Sequence, residues 1–158
     1  MKILVLSDSH STRHYMRQFV ERSSPDVIVH LGDHYEDGEC LAEWYPHVIL
    51  HQVAGNCDRY RCPPSAREML CYPLGGVMTY MTHGHNHHVK LGLGALLKDA
   101  RAMQAKLVLF GHTHKAVCIR EPDGLWLLNP GSAGSGTKTA GLVTIENGAV
   151  VNCEILST

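Results

Sequence analysis

The chain has 158 residues, 44% of them hydrophobic and 18% charged, with a formal net charge of -1. That length suits one domain over residues 1–158 with a proper core, and the balanced charge excludes a broad basic face for nucleic acid and a polybasic membrane patch. No apolar run nears the ~20 residues needed to span a bilayer, and the first ten residues lack the apolar stretch of a signal peptide.

Ile3-Leu4-Val5-Leu6 reads as a buried strand of an α/β sheet, and it ends in Asp8 and His10. Strand residues i and i+2 point the same way, so both can aim at one point past the carboxyl end, where open α/β sheets keep their ligands. A carboxylate beside an imidazole is a metal-ligand pairing; the competing reading makes Asp8 a helix cap and His10 a solvated side chain. Residues 11–23 carry Tyr15, Met16, Phe19 and Val20 at helical spacing, and Pro25-Asp26 breaks the helix. Residues 27–31 form a second strand running into Gly32-Asp33. Strand–helix–strand with a right-handed crossover brings Asp33 beside Asp8 and His10.

Residues 36–45 predict a shorter helix ended by Pro46. Residues 47–53 predict a third strand, followed by Ala54-Gly55-Asn56-Cys57-Asp58 and a loop with Pro63-Pro64. Strands over 68–72 and 77–82 flank a turn at residues 73–76, and the second delivers Thr82-His83-Gly84-His85. A helix over 91–104 precedes a strand over 106–110, which ends in Gly111-His112-Thr113-His114. The remainder is helix-poor, with turn signals at Pro122-Asp123-Gly124 and Asn147-Gly148. It predicts an antiparallel C-terminal sheet packed against the parallel half.

Six cysteines without a CxxC pair read as reduced, mostly buried thiols of a cytoplasmic protein, while 12 histidines clustered near Gly, Asp and Asn have the composition of a metal site. His14, His34, His51, His87 and His88 are expected to be solvated or structural, and Arg13 a charge on the helix surface. Asn86 either meets a substrate or caps the next helix. Asn129-Pro130-Gly131-Ser132 is a turn expected close to the site.

Five apolar runs thus end in ligand-type residues: Asp8/His10, Asp33, Asn56, His83 and His112/His114. In this order they resemble the calcineurin-like metallophosphoesterases, whose signature is Asp-x-His, Gly-Asp, Gly-Asn, His, Gly-His-x-His. Gly-Asn-Cys-Asp at 55–58 and Thr-His-Gly-His at 82–85 resemble the small YfcE-type phosphodiesterase subgroup. The resemblance implies a four-layer α/β/β/α sandwich with two mixed β-sheets and a metal site at the carboxyl ends of the strands. It implies one metal held by Asp8, His10, Asp33 and His114 and a second by Asp33, Asn56, His83 and His112, with Asp33 bridging. The mixed donor set suits two divalent transition metals, Mn foremost, then Ni, Fe or Zn.

The implied activity is phosphodiester hydrolysis by a hydroxide bridging the metals. Two divalent ions, less two carboxylates and one hydroxide, leave a single positive charge for a monoanionic diester to neutralise. Larger members of the superfamily follow Gly-Asn with a proton-donating His; here Cys57 stands in that slot, a weaker acid. Asp58 is expected to orient the loop and His85 to sit near the substrate. The implied partner is a small phosphodiester, with no specific nucleic acid and no membrane, and homo-oligomerisation is left open. The same fold also resembles a retromer subunit that binds proteins, so a scaffold is the alternative; the completely filled ligand set favours the enzyme.

Overall fold

A computed structural model describes residues 1–158. The first strand, β1 (Lys2–Leu6), leads into helix α1 (Arg13–Ser23), strand β2 (Val27–His30), helix α2 (Tyr35–Trp44) and strand β3 (Ile49–Gln52). The three strands are parallel, in the order the sequence predicts. On α1, Met16, Phe19, Val20 and Ser23 are buried, one stripe at i, i+3, i+4 and i+7. Ser24 ends that helix in the left-handed region, at φ 44°, and donates its N–H to the Val20 carbonyl; Pro25 prevents continuation.

Strands β4 (Met69–Leu74) and β5 (Val77–Thr82) form a hairpin, followed by helix α3 (Gly94–Ala102) and strand β6 (Leu107–Phe110), parallel to β5. The hairpin differs from the expected one. β4 runs on through Pro73, paired with Met78, and the turn is only Gly75-Gly76, at φ 55° and 84°. Both φ values suit a primed two-residue turn, and Pro73 is tolerated because β4 is an edge strand. Helix α3 is shorter than the expected 91–104, since Gly92 at φ 155° cannot be helical.

The last four strands are β7 (Val117–Arg120), β8 (Trp126–Asn129), β9 (Thr139–Glu146) and β10 (Ala149–Ser157). They do not form a separate antiparallel sheet, which corrects the expectation. β9 and β10 add to the first sheet, giving the order β10-β9-β1-β2-β3, and β7 and β8 add to the second, β4-β5-β6-β8-β7. Hairpin periodicity shows that strands pair locally but not which sheet edge they join. Asn147-Gly148, at φ 50° and 76°, is the hairpin turn the sequence signals.

The result is the expected four-layer sandwich of two mixed five-stranded sheets. Alternation along β1 sets the layers: Ile3 and Val5 face the core between the sheets, with Val29, Met81, Leu109 and Val143, whereas Leu4 and Leu6 face outward onto Met16, Phe19 and Leu41 of α1 and α2. On the far side, α3 lays Leu96 and Ala100 over Tyr80, Val108 and Leu127. Side chains tie the sheets at both edges. Tyr72 Oη lies 2.6 Å from His51 Nδ1 at the β3/β4 edge, and the Cys118 and Cys153 Sγ atoms lie 2.7 Å apart at the β7/β10 edge. The cysteines are less buried than expected: Cys40 on α2, Cys62 in a loop and Cys71, Cys118 and Cys153 on edge strands are half-buried, while Cys57 is exposed. No helix is long and apolar enough to cross a membrane.

Candidate metal centre

The parallel strands of each sheet release the chain at one end of the sandwich, and the loops there take unusual backbone. Asp8, His10, Asp33, His112 and His114 all have positive φ, between 46° and 67°. For non-glycine residues this conformation costs on the order of 1 kcal/mol or more each, and it marks loops shaped for side-chain placement. Space is also tight: a Cβ at Gly32 would collide with the Gly55 backbone, and one at Gly111 with the Ser7 hydroxyl.

These loops bring all seven candidate ligands into one cluster. His114 Nε2 lies 3.0 Å from Asp8 Oδ1, and the His10 ring is 5.3 Å from the His114 ring. His83 Nε2 faces Asp33 Oδ2 at 3.5 Å, Asp8 Oδ1 at 3.9 Å, Asn56 Oδ1 at 3.1 Å and His112 Nδ1 at 3.2 Å. In each of two groups, Asp8/His10/His114 and Asp8/Asp33/His83, the donor atoms all lie within 4.8 Å of one another. Asp8 is the carboxylate common to both, whereas the family resemblance assigns the shared place to Asp33.

The cluster's electrostatics call for a cation. Asp8 and Asp33 are buried, at 0% and 3% exposure, and their only ion-pair partners are imidazoles; no Lys or Arg approaches them. Asp8 Oδ1 is buried, and His114 Nε2, though 3.0 Å away, is not in hydrogen-bonding geometry with it, so the oxygen has no hydrogen-bond partner. Two buried carboxylates so placed are costly unless positive charge joins them, and oxygen, imidazole and amide donors suit a borderline divalent metal. The residues therefore fit the metals that the resemblance implies. His83 is oriented for this purpose: its Nδ1 lies 2.8 Å from the Leu31 carbonyl, which can only accept, so Nδ1 carries a proton and Nε2 is the nitrogen turned to the cluster. Burial, then His83 and Lys90, push His112 down to about 4, leaving it a neutral donor at neutral pH. Burial alone would raise Asp33, but His83 and the Cys57 N–H hold its carboxyl below the ordinary range.

Asp58, expected to orient its loop, does not face the opening. Its two oxygens accept four backbone N–H groups, from Asp33, His34, Tyr35 and Gly55, at 2.7–2.9 Å. It is a positioning residue that locks the Asp33 and Asn56 loops together. Cys57 is exposed beside Asn56, and its N–H donates to Asp33 Oδ1 at 2.9 Å. Partial burial and the Asp33 charge push its thiol up, so it stays protonated. The His85 ring stands 5.4 Å from His83 and 6.2 Å from His112, at the rim.

Several supporting contacts escaped the sequence reading, although the 129–132 turn was expected close to the site. Ser7 Oγ donates to Asp8 Oδ2 at 2.6 Å, and Ser132 Oγ donates to the Asp8 carbonyl at 2.8 Å. Asn129 Nδ2 donates to the Gly111 carbonyl at 2.9 Å, so the 129–132 turn braces two ligand loops at once. Buried Asp37 gathers Ser9 Oγ, the Ser11 N–H and Arg13 Nε at 2.6–2.8 Å. Arg13 is thus tethered to a buried carboxylate rather than free on the helix surface. The small polar residues next to each ligand were the available signal. Asn86 donates to Glu68 at 2.8 Å and caps no helix. His51 and His87 bond tyrosine hydroxyls, as expected of structural histidines.

Fold, strand-end ligands and donor chemistry together define a metallophosphoesterase-type centre. The model of the calcineurin-like phosphoesterase superfamily domain matches residues 1–148, and the chain belongs to that superfamily. It is 29% identical over 158 residues to the probable metallophosphoesterase YsnB of Bacillus subtilis, covering 94% of this chain and 87% of that protein. Among solved structures, a novel archaeal phosphodiesterase superposes with a TM-score of 0.75 at 20% identity, covering 100% of both chains. Wild-type Vps29 of Entamoeba histolytica, complexed with zinc, superposes with a TM-score of 0.74 at 19% identity, covering 99% of each. At such identities these two likenesses speak for the fold alone.

Proposed function

We propose that the protein hydrolyses small phosphodiesters with two divalent transition metals, Mn foremost, held among Asp8, His10, Asp33, Asn56, His83, His112 and His114. The observation that carries this reading is the buried Asp8–Asp33 pair ringed by imidazoles, with Asp8 Oδ1 lacking any hydrogen-bond partner. Bound there, such ions would polarise phosphoryl oxygens and acidify a water molecule. Asp8 and Asp33 offset part of the metal charge and leave a small positive surplus, which a monoanionic diester matches better than a dianionic monoester.

The rim residues determine which esters are served. Cys57 keeps its proton at neutral pH, so it can donate to a leaving oxygen, but a thiol of raised pKa is a weak acid. That favours activated leaving groups over alkoxides. His85 is held neutral by burial and by His83, and it can hydrogen-bond a substrate oxygen at the rim.

The test compares bis(p-nitrophenyl) phosphate with p-nitrophenyl phosphate, each with Mn, Ni, Zn or Mg and with chelator. Diester hydrolysis that needs a metal and exceeds monoester hydrolysis supports the reading. Metal-independent hydrolysis or monoester preference overturns it. Tight metal binding without hydrolysis points instead to a protein-binding scaffold.

A further inference from the structure

Beside the metal centre the chain builds a second feature that ligand geometry does not require. A cavity of about 880 Å³ opens between the Asn56 loop and the segment leading into β4, and Asn56, Arg59, Arg67, Glu68 and His85 are among the residues that line it. Its size falls in the range of small-molecule sites. Asn56 and His85 belong to the cluster around His83, so the cavity and the metal centre share a wall. Its floor is fixed: the Ala54 N–H donates to the Arg67 carbonyl at 2.8 Å, and the Asn56–Asp58 turn that precedes Arg59 is bolted down by Asp58.

The cavity's charge is uneven. Arg13, Arg17, Arg61 and Arg101 each have a carboxylate oxygen within 3.7 Å. Arg59 and Arg67 have none, like Arg22 and Arg120 elsewhere on the surface; Arg59 only lies over the Tyr60 ring, at 5.6 Å. The one carboxylate in the lining, Glu68, is engaged by Asn86 at 2.8 Å and faces His85 at 3.9 Å. Two guanidinium groups against one carboxylate leave a positive surplus next to the reacting centre. Guanidinium groups bind phosphate and carboxylate oxygens in a bidentate manner, and both of these side chains are exposed and accessible from solvent.

Resting on the phosphodiesterase reading, we propose that this cavity is a subsite for a second anionic group on the substrate. The preferred substrate is a phosphodiester with a further phosphate or carboxylate on one ester arm, and Arg59 and Arg67 are the residues that select it. The diester phosphate meets the metal centre while the second anion lies between the two guanidinium groups.

The Mn-loaded protein is assayed on thymidine 5′-(p-nitrophenyl phosphate) and on the same compound bearing a 3′-phosphate. We expect kcat/KM to be about tenfold higher for the 3′-phosphorylated compound, mainly through KM. In the Arg59→Ala/Arg67→Ala variant that ratio falls toward one, and in the double Lys variant it is partly retained. Binding of thymidine 3′,5′-bisphosphate, followed by calorimetry, weakens about tenfold in the alanine variant and gives a readout independent of turnover. A wild-type ratio near one, or a ratio and affinity unchanged in the alanine variant, overturns the subsite. Absence of hydrolysis of either compound and of bis(p-nitrophenyl) phosphate defeats the phosphodiesterase reading instead, and calorimetry then decides the subsite alone.

Discussion

The backbone N–H of Asp33 donates to Asp58 Oδ2 at 2.8 Å, so one buried carboxylate positions another. Asp58 closes its own loop through Gly55 and seizes the start of α2 through His34 and Tyr35. Replacing it with alanine leaves four N–H groups seeking water in a buried place. Asp58→Ala should lower unfolding free energy by about 3 kcal/mol and reduce metal affinity with it. Urea unfolding and metal titration check both, and an unchanged midpoint would refute the bracing role.

Ser7 acts one step from the cluster, through its 2.6 Å hydrogen bond to Asp8 Oδ2. Ser7→Ala keeps every ligand but leaves Asp8 Oδ2 held only by the His112 N–H, at 3.1 Å, so the carboxylate is less firmly oriented. Metal affinity should fall by about tenfold, the lower end for groups that orient ligands. Calorimetric titration with Mn measures this directly.

Metal should also support the fold. If ions bind only the native state, a metal concentration of a hundred times Kd adds about 2.7 kcal/mol, worth about 5–10 °C for a chain of this length. Thermal unfolding should therefore shift upward with Mn and back with chelator. His83→Ala, which removes the imidazole facing both carboxylates, should lose most of that shift.

His30 is wholly buried, its Nε2 is 3.2 Å from Ser9 Oγ, and burial lowers its pKa from 6.5. A histidine kept neutral by folding binds protons more readily when unfolded. Its stability contribution is present above about 6.5 and is lost as pH falls below that value toward the depressed folded pKa. Burial lowers His51, His85 and His112 as well, so their contributions carry the same sign. Stability of the metal-free protein should fall steadily from pH 7 to pH 5, and His30→Gln should flatten part of the slope. Urea midpoints across that range are the measurement.

Cys57 offers a gain-of-function test. Its exposure leaves room for an imidazole, a better proton donor near neutral pH. Cys57→His should raise turnover of alkyl phosphodiesters relative to bis(p-nitrophenyl) phosphate by about tenfold or more. An unchanged ratio would remove Cys57 from the leaving-group step.

Much of this was legible before any coordinates. Apolar runs ending in Asp8, Asp33, His83 and His112 betray the strand ends because a buried parallel strand must be apolar throughout, and βαβ handedness then sends those ends the same way. The destination of the last strands was not legible. Leu142–Ile145 has the same alternation whether β9 pairs with β1 or with β8, and only the burial of Val143 and Ile145 against Ile3 and Val77 settles it. Nor was Asp37 legible, since its helical spacing hides that Ser9, Ser11 and Arg13 all converge on it.

The antiparallel pairing of β9 with β1, Lys2 opposite Thr144, also sets a timetable for biogenesis. Every proposed metal ligand has been synthesised by His114, yet β1 lacks one neighbour, and Asp8 its Ser132 brace, until much later residues leave the ribosome. Contacts this distant in sequence form slowly. A nascent chain halted near residue 130 would therefore hold all its ligands and still lack the β9 neighbour of β1 and the Ser132 brace of Asp8.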